Sequence, residues 1–185
     1  MPSSELPTIE TERLVLRPYT PADAARVQEM CGDWAVASMT LTMPHPYPDG
    51  AAEQWIAGHA EQFRAGSAVR LAVTLKPDGK VVGTVGLDMN TKHGRAELSY
   101  MIAKEHWGHG YCTEACRALM LFGFDALGLN RIQATHFPRN PASGRVMQKL
   151  GMIREGLLRQ YVYSRNVYED LVMYSALRAE FGSSH

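Results

Sequence analysis

The chain has 185 residues, 45% of them apolar, and its 19 Lys and Arg balance 19 Asp and Glu. That length and apolar share suit one packed domain rather than a disordered chain, and zero net charge gives no support to a nucleic-acid footprint. No apolar run approaches the ~20 residues that span a bilayer. Met1–Thr8 lacks the apolar stretch of a signal peptide, and Cys31, Cys112 and Cys116 make no even disulfide framework, so the composition points to reduced thiols in a cytoplasmic protein.

In chain order, Arg13–Arg17 reads as a strand stopped by Pro18, and Thr20-Pro21 opens a helix that runs to about Met30. Trp34–Tyr47 is rich in proline and reads as a broken helix and loop. Ala52, Trp55, Ile56, His59, Ala60 and Phe63 share one face of a single helix from Asp49 to Gly66. Val69, Leu71, Val73 and Leu75 alternate with smaller or polar residues, and the turn Pro77-Asp78-Gly79 joins that strand to Lys80–Asp88 as a hairpin. Arg95–Ala103 is the next strand. Cys112, Ala115, Cys116, Leu119, Met120, Gly123 and Leu127 form the buried stripe of a helix ended by Gly128. Arg131–Phe137 is a strand, Asn140–Leu150 a short helix, and Met152–Tyr163 with Val167–Leu177 a closing hairpin. The order β-α-α-β-β-β-α-β-α-β-β predicts one α/β (α+β) domain with a mixed, mostly antiparallel sheet of about seven strands and about four helices. Residues 9–179 form that domain, with flexible tails at 1–8 and 180–185.

The chemistry concentrates where strand 97–103 runs into Trp107-Gly108-His109-Gly110-Tyr111-Cys112-Thr113. A helix N-terminus presents up to four unpaired N–H groups and a favourable potential for an anion, and Gly108 and Gly110 let backbone approach phosphate oxygens. By spacing alone, a tight strand-to-helix turn is the simpler reading. Cys112 and Cys116, four apart, with His106 and His109 upstream imitate a zinc cluster, but both cysteines fall on the apolar stripe, so no metal is expected. No nucleophile elbow or Walker motif is present. Trp55 and Phe63 serve either core packing or an acceptor groove, with Trp34, Tyr47, Tyr161 and Tyr163 at the same rim.

The glycine loop resembles the acyl-coenzyme A signature of the GNAT N-acetyltransferase superfamily, Arg/Gln-x-x-Gly-x-Gly/Ala, with Trp107 and Cys112 as departures. Trp-Gly-x-Gly-Tyr-x-Thr-Glu-Ala is how the branch similar to ribosomal-protein N-terminal acetyltransferases writes it. Four further segments are similar to that branch: Thr11–Arg17, Pro46–Pro48, His136–Met152 and Asp170–Ser175. The resemblance implies an acetyl-coenzyme A-dependent N-acetyltransferase acting on a primary amine, by direct attack in a ternary complex. A protein N-terminal amine is one acceptor, and an amino acid, polyamine or antibiotic the alternative. A module that binds acyl-coenzyme A without catalysis is the rival from another class. No nucleic-acid or membrane partner is implied, and the chain would be a monomer or homodimer.

The same resemblance implies that the backbone of Tyr100, Met101 and Ile102 pairs with the pantetheine arm. Amides of Gly108, His109, Gly110, Tyr111, Cys112 and Thr113, with that of Trp107 beside them, would hold the pyrophosphate. Asn140 would contact the pantetheine while also capping its helix, and Ser143 would lie beside the thioester sulfur. A strand amide near Met101 would stabilise the oxyanion. Strand alternation puts Glu97, Ser99 and Met101 on one face and Leu98, Tyr100 and Ile102 on the other. Glu97 is then the candidate base through water, roughly 7–13 Å along the strand from Ser99–Met101, or else a solvated residue partnering Arg95. Many relatives place a tyrosine acid where this chain has Met147, which leaves Ser143 as the nearest proton donor to the thiolate.

Overall fold

The computed structural model describes residues 5–181. Eight strands form one sheet: β1 (Ile9–Glu10), β2 (Leu14–Arg17), β3 (Ala68–Leu75), β4 (Val81–Asn90), β5 (Arg95–Ile102), β6 (Arg131–His136), β7 (Ile153–Ser164) and β8 (Val167–Leu177). Their order is β1-β2-β3-β4-β5-β6-β8-β7, antiparallel throughout except for the parallel pair β5–β6. Six helices surround it: α1 (Ala24–Gly32), α2 (Trp34–Ala37), α3 (Ala51–Ala57), α4 (His59–Arg64), α5 (Tyr111–Asp125) and α6 (Pro141–Lys149). The α5 connection between β5 and β6 is the crossover that a parallel pair requires.

Three sequence expectations change. A two-residue strand, β1, precedes the seven expected, too short to show alternation. The single helix expected from Asp49 to Gly66 is two, broken at Gly58, a poor helix former. The helix expected from Thr20 opens as a single 3-10 turn, Pro21–Asp23, and α1 begins at Ala24. Of the expected tails, residues 1–4 and 182–185 lie outside the described residues. Leu6 and Phe181 pack against the core.

Apolar residues on opposite sides of the sheet make two clusters. Leu87, Leu98 and Ile102 pack with Cys116, Leu119 and Met120 of α5, with Met147 of α6 and with Leu150 that caps it. Ala72, Val81 and Met101 pack with Val27 and Met30 of α1, Val36 of α2 and Ile56 of α3. Phe63 and Met147 are buried in the first cluster, so both serve the core. Among the described residues, no helix is long and apolar enough to cross a membrane.

His59 is buried at 3% exposure, edge-on to Trp55 (4.3 Å) and Tyr19 (5.5 Å), and neither ring nitrogen has a hydrogen-bond partner. Burial, with a smaller contribution from Arg70, pushes its pKa down to about 4. Above pH 6.5 the ring is neutral in both folded and unfolded chains. As pH falls from 6.5 towards 4 the unfolded chain takes a proton that the folded chain refuses, so stability is lost across that window. His59→Phe keeps the ring edges and is expected to raise the melting temperature and flatten its decline between pH 6.5 and 4. Thermal melts at several pH values check this.

Candidate active site

The parallel pair β5–β6 is short. Pairing runs only through Arg95–Arg131, Ala96–Ile132 and Glu97–Gln133, after which the strands part. On its other side β5 stays paired with β4 as far as Ile102, and β6 stays paired with β8 as far as His136. A wedge-shaped gap therefore opens in the middle of the sheet, between the C-terminal halves of β5 and β6.

Hydrogen-bond alternation decides which backbone groups face this gap. Ala103 donates its N–H to Val82 O (2.8 Å), and Arg131 N–H, on the β6 side, donates to Gly94 O (3.2 Å). Odd-numbered residues of β5 thus bond towards β4, and even-numbered ones turn their N–H and C=O towards β6. Tyr100 and Ile102 present backbone to the gap. Met101 does not: its backbone belongs to the β4 ladder opposite Thr84, and its side chain is buried beside α1 and α3. Of the three residues expected to pair with the ligand, Met101 thus turns its backbone to β4, and a strand amide near it, that of Tyr100 or Ile102, is the one on the gap side.

Past β5 the chain makes one 3-10 turn (Lys104–His106) and enters the glycine loop. Gly108 and Gly110 sit at φ +80° and +81°, in the left-handed region where a Cβ is strained, and Gly110 caps α5. Among the described residues, the N–H groups of residues 108–113 have no protein acceptor, and Glu114 is the first to donate, to Gly110 O (3.1 Å). Six consecutive amides at the start of a 15-residue helix are suited to phosphate oxygens. Trp107 falls outside the cradle. Its N–H donates to Lys104 O (3.2 Å), correcting the expectation for that amide, and its indole Nε1 donates to Ile102 O (2.7 Å) at the mouth of the gap.

On the α5–α6 side of the sheet, the Tyr100 hydroxyl lies 2.8 Å from Ser143 Oγ and donates to Ser143 O (3.2 Å). Burial, then the neighbouring Cys116 and Cys112, hold the Tyr100 pKa well above the phenol range, so it stays protonated and is a donor. Asn140 Oδ1 caps α6 by accepting from Ser143 N (3.2 Å). Ser143 is thus fixed by its N–H, carbonyl and hydroxyl at once. The phenol's part in this was missed by sequence reasoning, which used only the backbone of Tyr100.

On the opposite side, Glu97 is half-buried and accepts from Thr135 Oγ1 of β6 across the top of the gap (3.4 Å). Burial, then Asp88, raises its pKa, against Thr135 and Arg95, which lower it. Glu97 and Ser143 therefore flank the gap from opposite faces of the sheet. Above the Glu97 face, the segment after α2 is strapped down by two arginines. Arg139 bonds Ser38 O (2.8 Å) and pairs with Glu169, while Arg165 bonds Ala37 O (2.6 Å) and lies over Trp34. Trp34 and Tyr163 are exposed together at this rim, Tyr161 is exposed beside Leu157–Gln160 and Asp170 instead, and Trp55 packs against Tyr19 and His59. Among the described residues no three His, Cys, Asp or Glu side chains gather as a metal group.

A split parallel pair, an open strand edge and a helix start with six unpaired amides together suit an extended phosphate-bearing ligand met through backbone. The profile of the acetyltransferase (GNAT) domain matches residues 13–153. The N-acetyltransferase p20 of Bacillus licheniformis is 34% identical, over 94% of this chain and 98% of its own. YdaF of Bacillus subtilis strain 168, by name a candidate ribosomal N-acetyltransferase, is 29% identical over 92% of this chain and 94% of its own. The crystal structure of a GNAT-family acetyltransferase from Bacillus anthracis superposes with a TM-score of 0.79 at 26% identity, covering 94% of this chain and all of that one. The chain belongs to the GNAT acetyltransferase family and is an N-acetyltransferase.

Proposed function

We propose that this enzyme moves an acetyl group from acetyl-coenzyme A to the α-amine of a protein N-terminus, by direct attack in a ternary complex within the cytoplasm. The observation that carries the reading is the gap between β5 and β6, with free backbone on its floor, Ser143 on one face and Glu97 on the other. The open edge at Tyr100 and the N–H of Ile102, whose C=O already accepts from Trp107 Nε1, are suited to the pantetheine arm, and the amides of residues 108–113 to the pyrophosphate. Asn140 keeps its Nδ2 for the same arm, because its Oδ1 is spent on the helix cap.

The amine nitrogen attacks the thioester carbonyl carbon, and an N–H on the open edge of β5 receives the developing oxyanion. The amine's proton passes through water to Glu97, whose half-buried carboxylate is more basic than an ordinary glutamate. As the carbon–sulfur bond breaks, the electron pair leaves with sulfur. Ser143, whose Oγ lies 2.8 Å from the Tyr100 hydroxyl, is the nearest O–H that can turn towards that sulfur. A thiolate with a pKa of about 8.5 leaves without a stronger acid, which makes Met147 tolerable in place of a tyrosine.

An α-amine has a pKa of about 8, so roughly a tenth is neutral at pH 7, against far less of a lysine at about 10.4. A base that works through water suits the first acceptor better. The name of YdaF supports the same choice. Thiol release measured with peptides of varied N-terminus, spermidine and free amino acids tests the proposal. Peptides are expected to turn over fastest. Preference for a small amine overturns the acceptor, and binding of acetyl-coenzyme A without turnover on any amine favours an acyl-coenzyme A-binding module.

A further inference from the structure

The opening motif Thr11–Arg17 and the Thr-Glu-Ala turn of α5 lie about a hundred residues apart, and they meet behind the glycine loop. Glu114 sits in the first turn of α5, where a carboxylate opposes any anion that approaches the six free amides. It is intensively bound: Oε1 accepts from Thr11 Oγ1 (2.6 Å) and Arg13 N (2.9 Å), and Oε2 from Arg13 Nε (2.7 Å) and Nη2 (2.6 Å). Burial alone would raise its pKa, but these bonds outweigh burial and hold it below the usual range, so the charge is present.

Arg13 also reaches the loop itself. Its Nη1 donates to His109 O (2.9 Å) and its guanidinium lies 4.8 Å over the Tyr111 ring. His109 stacks on the same Tyr111 ring (5.5 Å) and its Nδ1 lies 2.9 Å from Trp107 O. Within one trans peptide the C=O and N–H point in opposite directions. Pinning His109 O from behind therefore turns Gly110 N–H to the front, into the row of free amides.

We infer that Arg13 is a positioning residue of the phosphate cradle, which aims the 109–110 peptide at the ligand and cancels the charge of Glu114. This rests on residues 108–113 being the pyrophosphate site proposed above. It gives the Thr11–Arg17 motif a part in cofactor binding from outside the loop, with no contact to the ligand required.

Titration calorimetry with acetyl-coenzyme A on the full chain tests it. Arg13→Met is expected to weaken Kd by about tenfold, and Arg13→Lys, which keeps the charge but not the fork, by less. Glu114→Gln, which removes the opposing charge and keeps an acceptor for Thr11 and Arg13, is expected to tighten Kd by about twofold. Adding Glu114→Gln to Arg13→Met should recover much of the loss, a rescue that a merely structural arginine would not show. Arg13→Met binding within about twofold of the parent, or a double variant no tighter than Arg13→Met, overturns the inference. Should Arg13→Met fail to fold, Arg13→Lys binding no weaker than the parent, or Glu114→Gln binding more weakly, overturns it. A parent chain that fails to bind acetyl-coenzyme A overturns the proposed function itself, a result separate from these.

Discussion

Gly83→Ala is expected to cost about 3 kcal/mol of stability and to lower the melting temperature by roughly 6–12 °C for a domain of this size. A Cβ at Gly83 would lie 2.2 Å from Met101 O, 2.6 Å from Ile102 Cδ1 and 3.1 Å from Ile102 Cα. Two of those three atoms are backbone, so no rotamer change relieves the contact. The β3–β4 register shifts at this point, with Val73 opposite Gly83 and Thr74 opposite Val81, and Tyr19 donates to Gly83 O (3.2 Å). Strand β4 is held on both sides and cannot retreat. The strand that must move is β5, at the residues whose open edge faces the gap, so acetyl-coenzyme A binding should weaken together with stability. Gly156→Ala is the control. Its Cβ would meet nothing within 4 Å and its φ is not positive, so its melting temperature should stay near that of the parent. A Gly83→Ala chain that melts within about 2 °C of the parent would mean that β4 and β5 separate more easily than their packing implies.

That contact marks where sequence reading stops. Alternation at Val69–Leu75 marks β3 almost to the residue, because its large apolar residues on one face alternate with small or polar ones on the other, although both faces are largely buried. The stripe on α5 was legible for the same reason. The gap itself was not, since it exists because pairing ends after Glu97 and Gln133, a property of two strands and of the helices packed beneath them. The phase of β5 needed a hydrogen bond, Ala103 to Val82, before Met101 could be separated from Tyr100 and Ile102. Trp107 looked like a departure from a motif. Its indole bond to Ile102 O depends on how the 3-10 turn folds back, which one-dimensional spacing does not carry. The glycines at 108 and 110 were readable because a left-handed turn demands them, whereas Arg13 and Glu114 find each other only in three dimensions.

Glu97→Gln should separate the chemistry from the fold, because rate and stability are expected to move in opposite directions. Burial raises the Glu97 pKa, with Asp88 adding to it. Below the unfolded glutamate value both folded and unfolded chains hold the proton, and no difference in stability arises. As pH rises through the interval up to the raised folded value, the unfolded chain ionises first and stability is lost, and above it the cost of the half-buried carboxylate is fully expressed. Glutamine is nearly the same shape and can accept from Thr135 Oγ1, so the variant should melt higher than the parent at pH 7. Activity should fall by about 10²-fold or more, the usual worth of a general base. The pH profile carries the assignment. In the parent, kcat/KM should fall as pH drops through the raised carboxyl value, beneath a second limb near pH 8 set by an α-amine acceptor. The variant should lose the lower limb and keep the upper one, which belongs to the substrate. A Glu97→Gln enzyme with both limbs intact would remove Glu97 from the reaction and leave water on the open face of the gap as the acceptor of the amine proton. A variant that loses activity and melts lower would instead make Glu97 a strut between β5 and β6, holding the split strands at the separation that Thr135 bridges.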